Sequence, residues 1–342
     1  MQRIRIGTRA SRLALWQAQF AATELKKIFP TLEVELVKVH TTGDKILDTP
    51  LAKIGGKGLF TKELELQLAA GAIDVAVHSL KDVPTELPAG FRIAAITRRA
   101  QPFDAFVSNN FPTFDALPQG AVVGTSSLRR AAQVLALRPD LAIKNLRGNV
   151  ETRLRKLDAG DFDAIILAAA GLERLGYSAR IGELMTELIP AAGQGALAIE
   201  TRAEDDEIFP LVQSLNDAET CAAVAVEREF LTEVSGSCQI PVGVFAAVDG
   251  GQISVRALIA STDGQRLAGR RPNNKASTDK VDAEIKQLKT KKAHLEQKIS
   301  SDPNSADLQR QLAQIENELR QKDNYAYRSR LAKFSAGIDI TA

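Results

Sequence analysis

The sequence predicts an α/β protein with two sheet-containing lobes, a small α+β third domain and a C-terminal helical hairpin. Apolar, strand-like runs alternate with segments of helical periodicity, as in α/β folds. The opening pattern Ile6-Gly7-Thr8 is repeated as Val123-Gly124-Thr125, which indicates two lobes of similar construction. From Val281 onwards, apolar residues recur at alternating intervals of four and three, a spacing typical of paired helices.

Composition limits the kinds of partner that the protein can have. The 342 residues are 44% hydrophobic, enough for two or three domains with apolar cores. Lysine and arginine total 44 and aspartate and glutamate total 42, so the net charge is +2. So small a net charge provides no general attraction for nucleic acid or for an anionic membrane. Any anion site therefore has to be local.

The cysteines and the N-terminus indicate where the protein works. Cys221 and Cys238 form no CxxC pair and have no neighbouring pair of histidines, so we expect neither a zinc site nor a disulfide framework. The first residues lack the apolar core of a signal peptide, and no run approaches the length of a membrane span. We expect a cytoplasmic protein without a bound metal.

The apolar run 74–77 ends abruptly in polar and charged residues. Val75 and Val77 suit a strand, Pro84 ends it, and Lys81 and Asp82 should lie on the loop beyond the strand's carboxyl end. Open α/β sheets bind their ligands at this position. Asp82 is therefore a candidate catalytic or ligand-binding carboxylate, and a solvated pair with Lys81 is the alternative.

The N-terminal segment predicts an anion site at a helix start. A strand at 4–6 leads through Gly7-Thr8 into a helix over 13–28, which directs backbone N–H groups and the positive helix end at a ligand. Arg9, Ser11 and Gln17 would then be ligands. An ordinary capped helix with a surface arginine explains the same residues.

A glycine-rich basic loop follows the second strand, predicted over 34–40. The loop at 51–60 precedes a helix over 61–70, and its spacing does not match a P-loop. We interpret it as a flexible segment that can bring Lys53 and Lys57 to an acidic ligand.

The second lobe begins near residue 100 and has basic residues at its predicted strand ends. Arginines follow a Thr-Ser-Ser turn at 125–127, lie on a loop (Arg147) and on the first turn of the helix after it (Arg153), and follow a buried strand at 163–170. The arginines at the predicted strand ends of the two lobes are Arg9, Arg129, Arg130, Arg147, Arg153 and Arg174. Bidentate binding of several carboxylates or phosphates explains them, with scattered solvation as the alternative.

The segment 190–200 predicts a strand that returns to the first lobe. The chain would then pass between the lobes twice, and these two passages would form a hinge. A helix should then run from Cys221 to Val234, followed by strands over 242–248 and 253–259. Cys238 lies on a Gly/Ser loop, which favours reactivity, whereas Cys221 inside the helix is interpreted as a core residue.

At this point the chain resembles the hydroxymethylbilane synthase (porphobilinogen deaminase) family over residues 3–271. The matching motifs are GTRASRLALWQA, LDTPLAKIGGKGLFTKELE, DVAVHSLKDVP, DAFVSNN, GTSSLRR, LRGNVETRL, PAAGQGALAIE and EREFLTEVSGSCQIPVG. The resemblance implies two periplasmic-binding-protein-like lobes, residues 1–98 with 196–215 and residues 99–195, and a third domain at 218–275. It also implies the stepwise condensation of four porphobilinogens, with loss of ammonia, on a dipyrromethane cofactor.

The same resemblance implies roles for individual residues. Asp82 matches the catalytic aspartate, which interacts with pyrrole N–H groups and stabilises the cationic intermediate formed as ammonium leaves. Cys238 matches the cysteine that carries the cofactor by a thioether. The remaining cofactor-binding positions are Ser79, Lys81, Thr125, Ser126, Ser127, Arg129, Arg130, Gly171 and Gln194. The substrate-binding positions are Arg9, Ser11, Gln17, Lys53, Lys57, Arg147, Arg153 and Arg174.

Residues 276–342 depart from the family pattern. Their heptad-like seam predicts a helical hairpin and comprises Val281, Ile285, Leu288, Leu295, Ile299, Leu308, Leu312, Ile315 and Leu319. This tail could cap the third domain, mediate association, or be a fusion or frameshift product that leaves the synthase inactive.

The resemblance also sets expectations about partners. Porphobilinogen is the expected substrate, with no nucleic-acid or membrane partner and a monomer as the expected state. Association through the tail is the alternative to a monomer. A two-lobed module that only captures an anionic small molecule is the main alternative to an enzyme.

Overall fold

The computed structural model describes residues 3–41, 61–234, 241–250, 252–261, 267–270, 287, 289–298, 305 and 308–315. Some of the predicted residues lie outside the described residues: Lys53, Lys57, Cys238, Val281, Ile285, Leu288, Ile299 and Leu319. No helix among the described residues is both long and apolar enough to cross a membrane.

The first lobe is a mixed sheet covered by helices. Its elements are β1 (Arg3–Arg9), α1 (Arg12–Ile28), β2 (Glu33–Val39), α2 (Lys62–Ala69), β3 (Val75–Ser79), β4 (Phe91–Ile96), β10 (Leu197–Arg202) and α6 (Ile208–Gln213). The order of the five described strands is β2-β1-β3-β10-β4. β1 is parallel to β2 and β3, whereas β10 is antiparallel to β3 and β4.

The second lobe repeats this plan. Its elements are β5 (Asp104–Val107), β6 (Val122–Gly124), α3 (Leu128–Leu137), β7 (Ala142–Lys144), α4 (Val150–Asp158), β8 (Ala164–Ala168), α5 (Ala169–Arg174) and β9 (Glu183–Met185). The five described strands lie in the order β7-β6-β8-β5-β9, with β6 parallel to β7 and β8 and with β5 antiparallel to β8 and β9. The carboxyl ends of β1, β6 and β8 lead within a few residues into helices, and that of β3 leads into a short 3₁₀ helix.

The third domain packs one helix on an antiparallel sheet. Its elements are α7 (Ala218–Glu233), β11 (Val242–Asp249), β12 (Gln252–Ala260) and β13 (Leu267–Arg270). Its described strands lie in the order β11-β12-β13, and both pairs are antiparallel. Ala223 of α7 is buried against Val244, Ala246 and Val255. Two mixed-sheet lobes and a small α+β domain confirm the predicted fold class.

Two connections link the lobes, residues 97–103 and 186–196. We call them the hinge after the prediction, and movement about them stays a prediction. The return strand was predicted over 190–200, but β10 begins only at Leu197. Gly193 and Gly195, with φ of 70° and 92°, turn the chain before the strand begins. The predicted domain limits at 98/99 and 195/196 fall within these connections and stay a prediction.

The predicted Gly7-Thr8 turn is wrong, because both residues lie inside β1. Gly7 pairs with Val37, and Thr8 pairs with the next residue of β2. The Thr8 hydroxyl donates to the Ala14 carbonyl at 2.9 Å. A Cβ at position 7 would collide with the side chain of Ile73, so the glycine is required by close packing. In the second lobe the prediction holds for Thr125, which follows β6.

Parts of the tail are helical, as predicted. Residues 289–298 and 308–315 form helices. Leu295 is buried within the single chain, and Leu308, Leu312 and Ile315 are half-buried. The described apolar positions of the predicted seam are thus the less exposed positions of these helices.

Candidate anion-binding and catalytic site

Three helices of the two lobes begin at strand ends with a side-chain cap. Ser11 caps α1 by accepting from the Ala14 N–H, Ser127 caps α3, and Asn149 caps α4. Each cap satisfies one N–H group of the first turn, and the uncapped N–H groups keep the helix ends positive. The sequence predicted a cap at the first two starts, where short polar residues follow a strand, and for the third it predicted only that Arg153 lies on the first helical turn.

The loop after β3 carries the candidate catalytic carboxylate. Leu80–Asp82 forms a 3₁₀ helix in which Leu80 is buried, Lys81 is half-buried and Asp82 is exposed. Behind the loop, the buried Gln17 donates from Nε2 to Ser79 Oγ at 2.8 Å. The anchored residues 79 and 80 therefore fix where Lys81 and Asp82 emerge.

Gln194 joins the two lobes at this loop. Its Oε1 accepts from Lys81 Nζ at 3.3 Å, and its Nε2 donates to Asp104 Oδ1 at 2.9 Å and to the Pro102 carbonyl at 2.7 Å. Gln194 is buried in the hinge connection. The ammonium of the first lobe and the carboxylate of the second are thus joined through one amide.

Two buried arginines share Asp104. Arg130 donates to Asp104 Oδ1 from Nε at 3.0 Å and from Nη2 at 2.7 Å, and Arg129 Nη2 lies 2.8 Å from Oδ2. Carbonyls hold the other sides of the guanidiniums: Arg129 Nη1 donates to Ile189 at 2.7 Å and Arg130 Nη1 to Ile166 at 3.2 Å. Asp104 is the functional residue that sequence reasoning missed, and the unbalanced pair Arg129-Arg130 was the signal for it.

The electrostatics of Asp104 follow from this geometry. Burial raises the pKa of Asp104, but the charges of Arg129 and Arg130, with hydrogen bonds from Arg130 and Gln194, outweigh it and hold the pKa well below its usual range. Asp104 is therefore an anion that compensates one of the two guanidinium charges.

Burial and mutual repulsion lower the pKa values of the cations near Asp104. Burial, with the charges of Arg130 and Arg129, lowers the pKa of Lys81 to about 8, and Asp82 and Asp104 partly oppose the effect. Burial, followed by the charges of Arg130 and Arg147, lowers the pKa of Arg153 to about 10, with Asp82 opposing. The charge of Asp82 in the first lobe thus acts on Arg153 in the second.

The charge of this cluster is not balanced within the described residues. Lys81, Arg129, Arg130 and Arg153 supply four positive charges when all are protonated, against two carboxylates, Asp82 and Asp104. Buried cations without equal numbers of anions are costly in the absence of a ligand. The donor set, guanidinium and ammonium, suits carboxylates or phosphates.

The other predicted ligands lie around this centre. Arg174 donates from Nη2 to the Gly195 carbonyl at 2.6 Å and lies over the Trp16 ring at 5.6 Å. Burial lowers the pKa of Arg174 to about 10. Gly171 is buried in α5 opposite Leu13, where the lobes touch. Arg9 ends β1, beside the capped start of α1.

The third domain reaches the same loop through Arg228 of α7. Its guanidinium donates to the carbonyls of Val83 at 3.2 Å, Pro84 at 2.5 Å and Thr85 at 3.0 Å, directly after Asp82. Sequence reasoning did not find this contact, because an arginine inside an amphipathic helix gives no local sign of its partner.

Comparison with known protein families decides the relationship. Residues 4–209 match the model described as "Porphobilinogen deaminase, dipyromethane cofactor binding domain", and residues 221–291 match "Porphobilinogen deaminase, C-terminal domain". The chain belongs to the porphobilinogen deaminase family. Every cleft residue described above lies within the cofactor-binding domain of this family, apart from Arg228. The second match also extends past Arg271 into the first part of the tail.

The chain is also similar to several solved structures, at low sequence identity. A methionine-binding protein, MetQ, is 16% identical with a TM-score of 0.43, covering 66% of this chain and 94% of that chain. A periplasmic substrate-binding protein from Coxiella burnetii is 16% identical with a TM-score of 0.42, covering 66% and 96%. The VFT2 domain of Bordetella pertussis BvgS is 14% identical with a TM-score of 0.38, covering 67% and 92%.

Proposed function

We propose that the protein is a hydroxymethylbilane synthase, a transferase that joins four porphobilinogens head to tail with loss of ammonia. The observation that carries the proposal is the cluster of Lys81, Arg129 and Arg130 around Asp104 and beside Asp82, in which the described cations outnumber the described carboxylates, in a chain of the porphobilinogen deaminase family. Tetrapyrrole precursors carry two carboxylates on each pyrrole ring, so a growing chain needs many cations in a protein of small net charge.

The donor set of the cleft fits a dipyrromethane cofactor. We propose a thioether to Cys238, with the carboxylates held by a set of hydroxyl, amide and cationic groups: Ser79, Lys81, Thr125, Ser126, Ser127, Arg129, Arg130 and Gln194, with Gly171 nearby. When bound, the dipyrromethane supplies the pyrrole ring to which the first substrate is joined. Guanidiniums restrained by Asp104 and by main-chain carbonyls hold such a group in one orientation.

Asp82 is the proposed catalytic group. It emerges from a loop restrained on one side by Gln17 and Ser79 and on the other by Arg228. A carboxylate fixed in this way stabilises the positive charge that develops on the substrate as ammonium leaves, and it accepts hydrogen bonds from pyrrole N–H groups. Little rearrangement is then required during the reaction.

Substrate carboxylates are assigned to the remaining cations and hydrogen-bond donors of the two lobes. These proposed contacts are Arg9, Ser11, Gln17, Lys53, Lys57, Arg147, Arg153 and Arg174. The proposal includes a cytoplasmic monomer that needs neither nucleic acid nor a membrane.

Intact-mass spectrometry tests the proposal. Protein produced with a competent cofactor supply should carry the mass of one dipyrromethane, Cys238→Ser should remove it, and Cys221→Ser should retain it. Cys221 is the matched control because it is half-buried in α7 against the cluster of Leu80 and Val224. An unmodified wild-type chain that binds anions supports a binding module, whereas a modified chain without turnover identifies a synthase inactivated by its altered C-terminus.

A further inference from the structure

The buried carboxylate of Asp104 contacts side chains from three separate segments. It is fully buried at the first position of β5, where an apolar residue would suit the strand. Arg129 and Arg130 reach it from α3, and Gln194 reaches it from the hinge. Burying a charged carboxylate costs free energy of desolvation, and the contacts with Arg129, Arg130 and Gln194 offset that cost.

These contacts orient the guanidinium of Arg130 but do not use all of its N–H groups. The Arg130 bonds to Asp104 and to Ile166 use Nε and one proton on each terminal nitrogen. Because a guanidinium has five N–H groups, two remain for another anion beyond these bonds. Asp104 therefore fixes the plane of Arg130 and leaves one edge of it available.

The same carboxylate acts on the opposite lobe. Gln194 donates to Asp104 and accepts from Lys81, and an amide whose N–H groups are engaged must present its oxygen to the ammonium. The negative charge of Asp104 also offsets the repulsion that Arg129 and Arg130 exert on Lys81.

We propose that Asp104 is a positioning residue that, directly and through Gln194, holds Arg129, Arg130 and Lys81 in one array for the carboxylates of the ligand. The inference rests on the proposed function for its ligand, but it concerns contacts within this chain. Asp104 itself touches no reacting atom.

The test compares Asp104→Asn with Asp74→Asn. Asp74 is also a buried carboxylate paired with arginine, since Arg5 Nη2 lies 2.6 Å from its Oδ1, but it lies at the opposite end of β3 from Lys81. Competitive acylation of Lys81 over a range of pH, quantified by peptide mass spectrometry, reports the titration of Lys81 without requiring turnover. It is performed on the protein as purified and on the Cys238→Ser form.

We expect Lys81 to titrate at lower pH in Asp104→Asn than in the wild type, in both forms. We also expect kcat to fall about 10²-fold, the scale of a misplaced binding array. Asp74→Asn should lower the melting temperature but leave both quantities at the wild-type values. If Asp104→Asn only lowers the melting temperature, as Asp74→Asn does, Asp104 is structural and the proposal is overturned.

A second variant covers the case in which Asp104→Asn does not fold. Gln194→Met removes the amide but leaves Asp104 paired with Arg129 and Arg130. Because Lys81 then loses the oxygen that accepts from its ammonium, the variant should also lower the pH at which Lys81 titrates. An unchanged Lys81 titration in Gln194→Met would contradict the proposal that Gln194 links Asp104 to Lys81. Failure of the proposed function would be recognised separately, because the wild-type chain itself would then show neither the cofactor mass nor turnover.

Discussion

Glu227 and Arg99 form a two-point ion pair between the third domain and the hinge. Arg99 Nη1 lies 2.6 Å from Glu227 Oε1, and Nη2 lies 3.1 Å from Oε2. Glu227 also accepts from the N–H groups of Gly193 at 2.7 Å and Ala246 at 2.8 Å. One fully buried carboxylate therefore joins α7, β11 and both interlobe connections.

Glu227→Gln should destabilise the protein by about 3–5 kcal/mol, because it leaves the guanidinium of Arg99 buried without its counter-charge. Urea unfolding measures the change. Glu24→Gln is the control, since its 2.7 Å pair with Lys27 is on the surface and such pairs contribute at most about 1 kcal/mol. Equal effects of the two substitutions would contradict a joining role for Glu227.

Asp82→Asn should retain the cofactor mass and lose turnover by about 10²-fold or more, because the amide keeps the shape of the side chain but removes its charge. Single-turnover kinetics with porphobilinogen measure the loss. Asp206→Asn provides the same chemical change at an exposed position and should have normal turnover. Near-normal turnover in Asp82→Asn would show that Asp82 is a loop residue without a catalytic role.

Lys81 predicts a specific dependence of stability on pH. Its pKa is about 8 in the folded chain and near 10.5 in the unfolded chain, so the unfolded chain binds more protons between these values. Stability conferred by residue 81 should therefore rise with pH across this window. The melting temperature of the ligand-free wild type, relative to Lys81→Gln, should increase from pH 7.5 to 10. A constant difference would mean that Lys81 titrates normally.

Gly193→Ala should impair both folding and turnover. Gly193 has φ of 70°, and a Cβ there would lie 2.7 Å from Leu80 Cγ, beside the 3₁₀ helix that carries Lys81 and Asp82. Gly71→Ala is the control, since φ is 65° but no atom lies within 4 Å of the added Cβ. Both variants should lose about 1–2 kcal/mol from the backbone conformation. Only Gly193→Ala should lower kcat, and equal kcat values would exclude the steric effect.

The tail should stabilise the single chain. Leu295 is buried, whereas Leu66 on α2 is exposed to 57% and serves as the control. Leu295→Asp should lower the melting temperature by burying a charge, and Leu66→Asp should change it little. Light scattering should show a monomer before and after the substitution. If Leu295→Asp instead converts a dimer to a monomer without loss of stability, the tail serves association.

Sequence patterns were sufficient for the local parts of the site. Helix starts at Ser11 and Ser127 follow from short polar residues at the ends of apolar runs, because capping depends on residues within a few positions of one another. The same local order identified the loop of Lys81 and Asp82 and supplied the family motifs. The Gly7-Thr8 turn failed because strand pairing with β2 extended β1 beyond its apolar residues.

By itself, the sequence determined which residue types stand at the strand ends and how many cations the two lobes carry. Only the tertiary structure decided which carboxylate compensates them. Arg130 contacts Asp104, 26 positions away in the sequence, because β5 is inserted antiparallel beside β8. Lys81 contacts Gln194, 113 positions away, because the hinge returns the chain to β10. Ion pairing depends on distance in space and on loss of solvent, and the sheet order that brings these groups together has no local periodicity in the sequence.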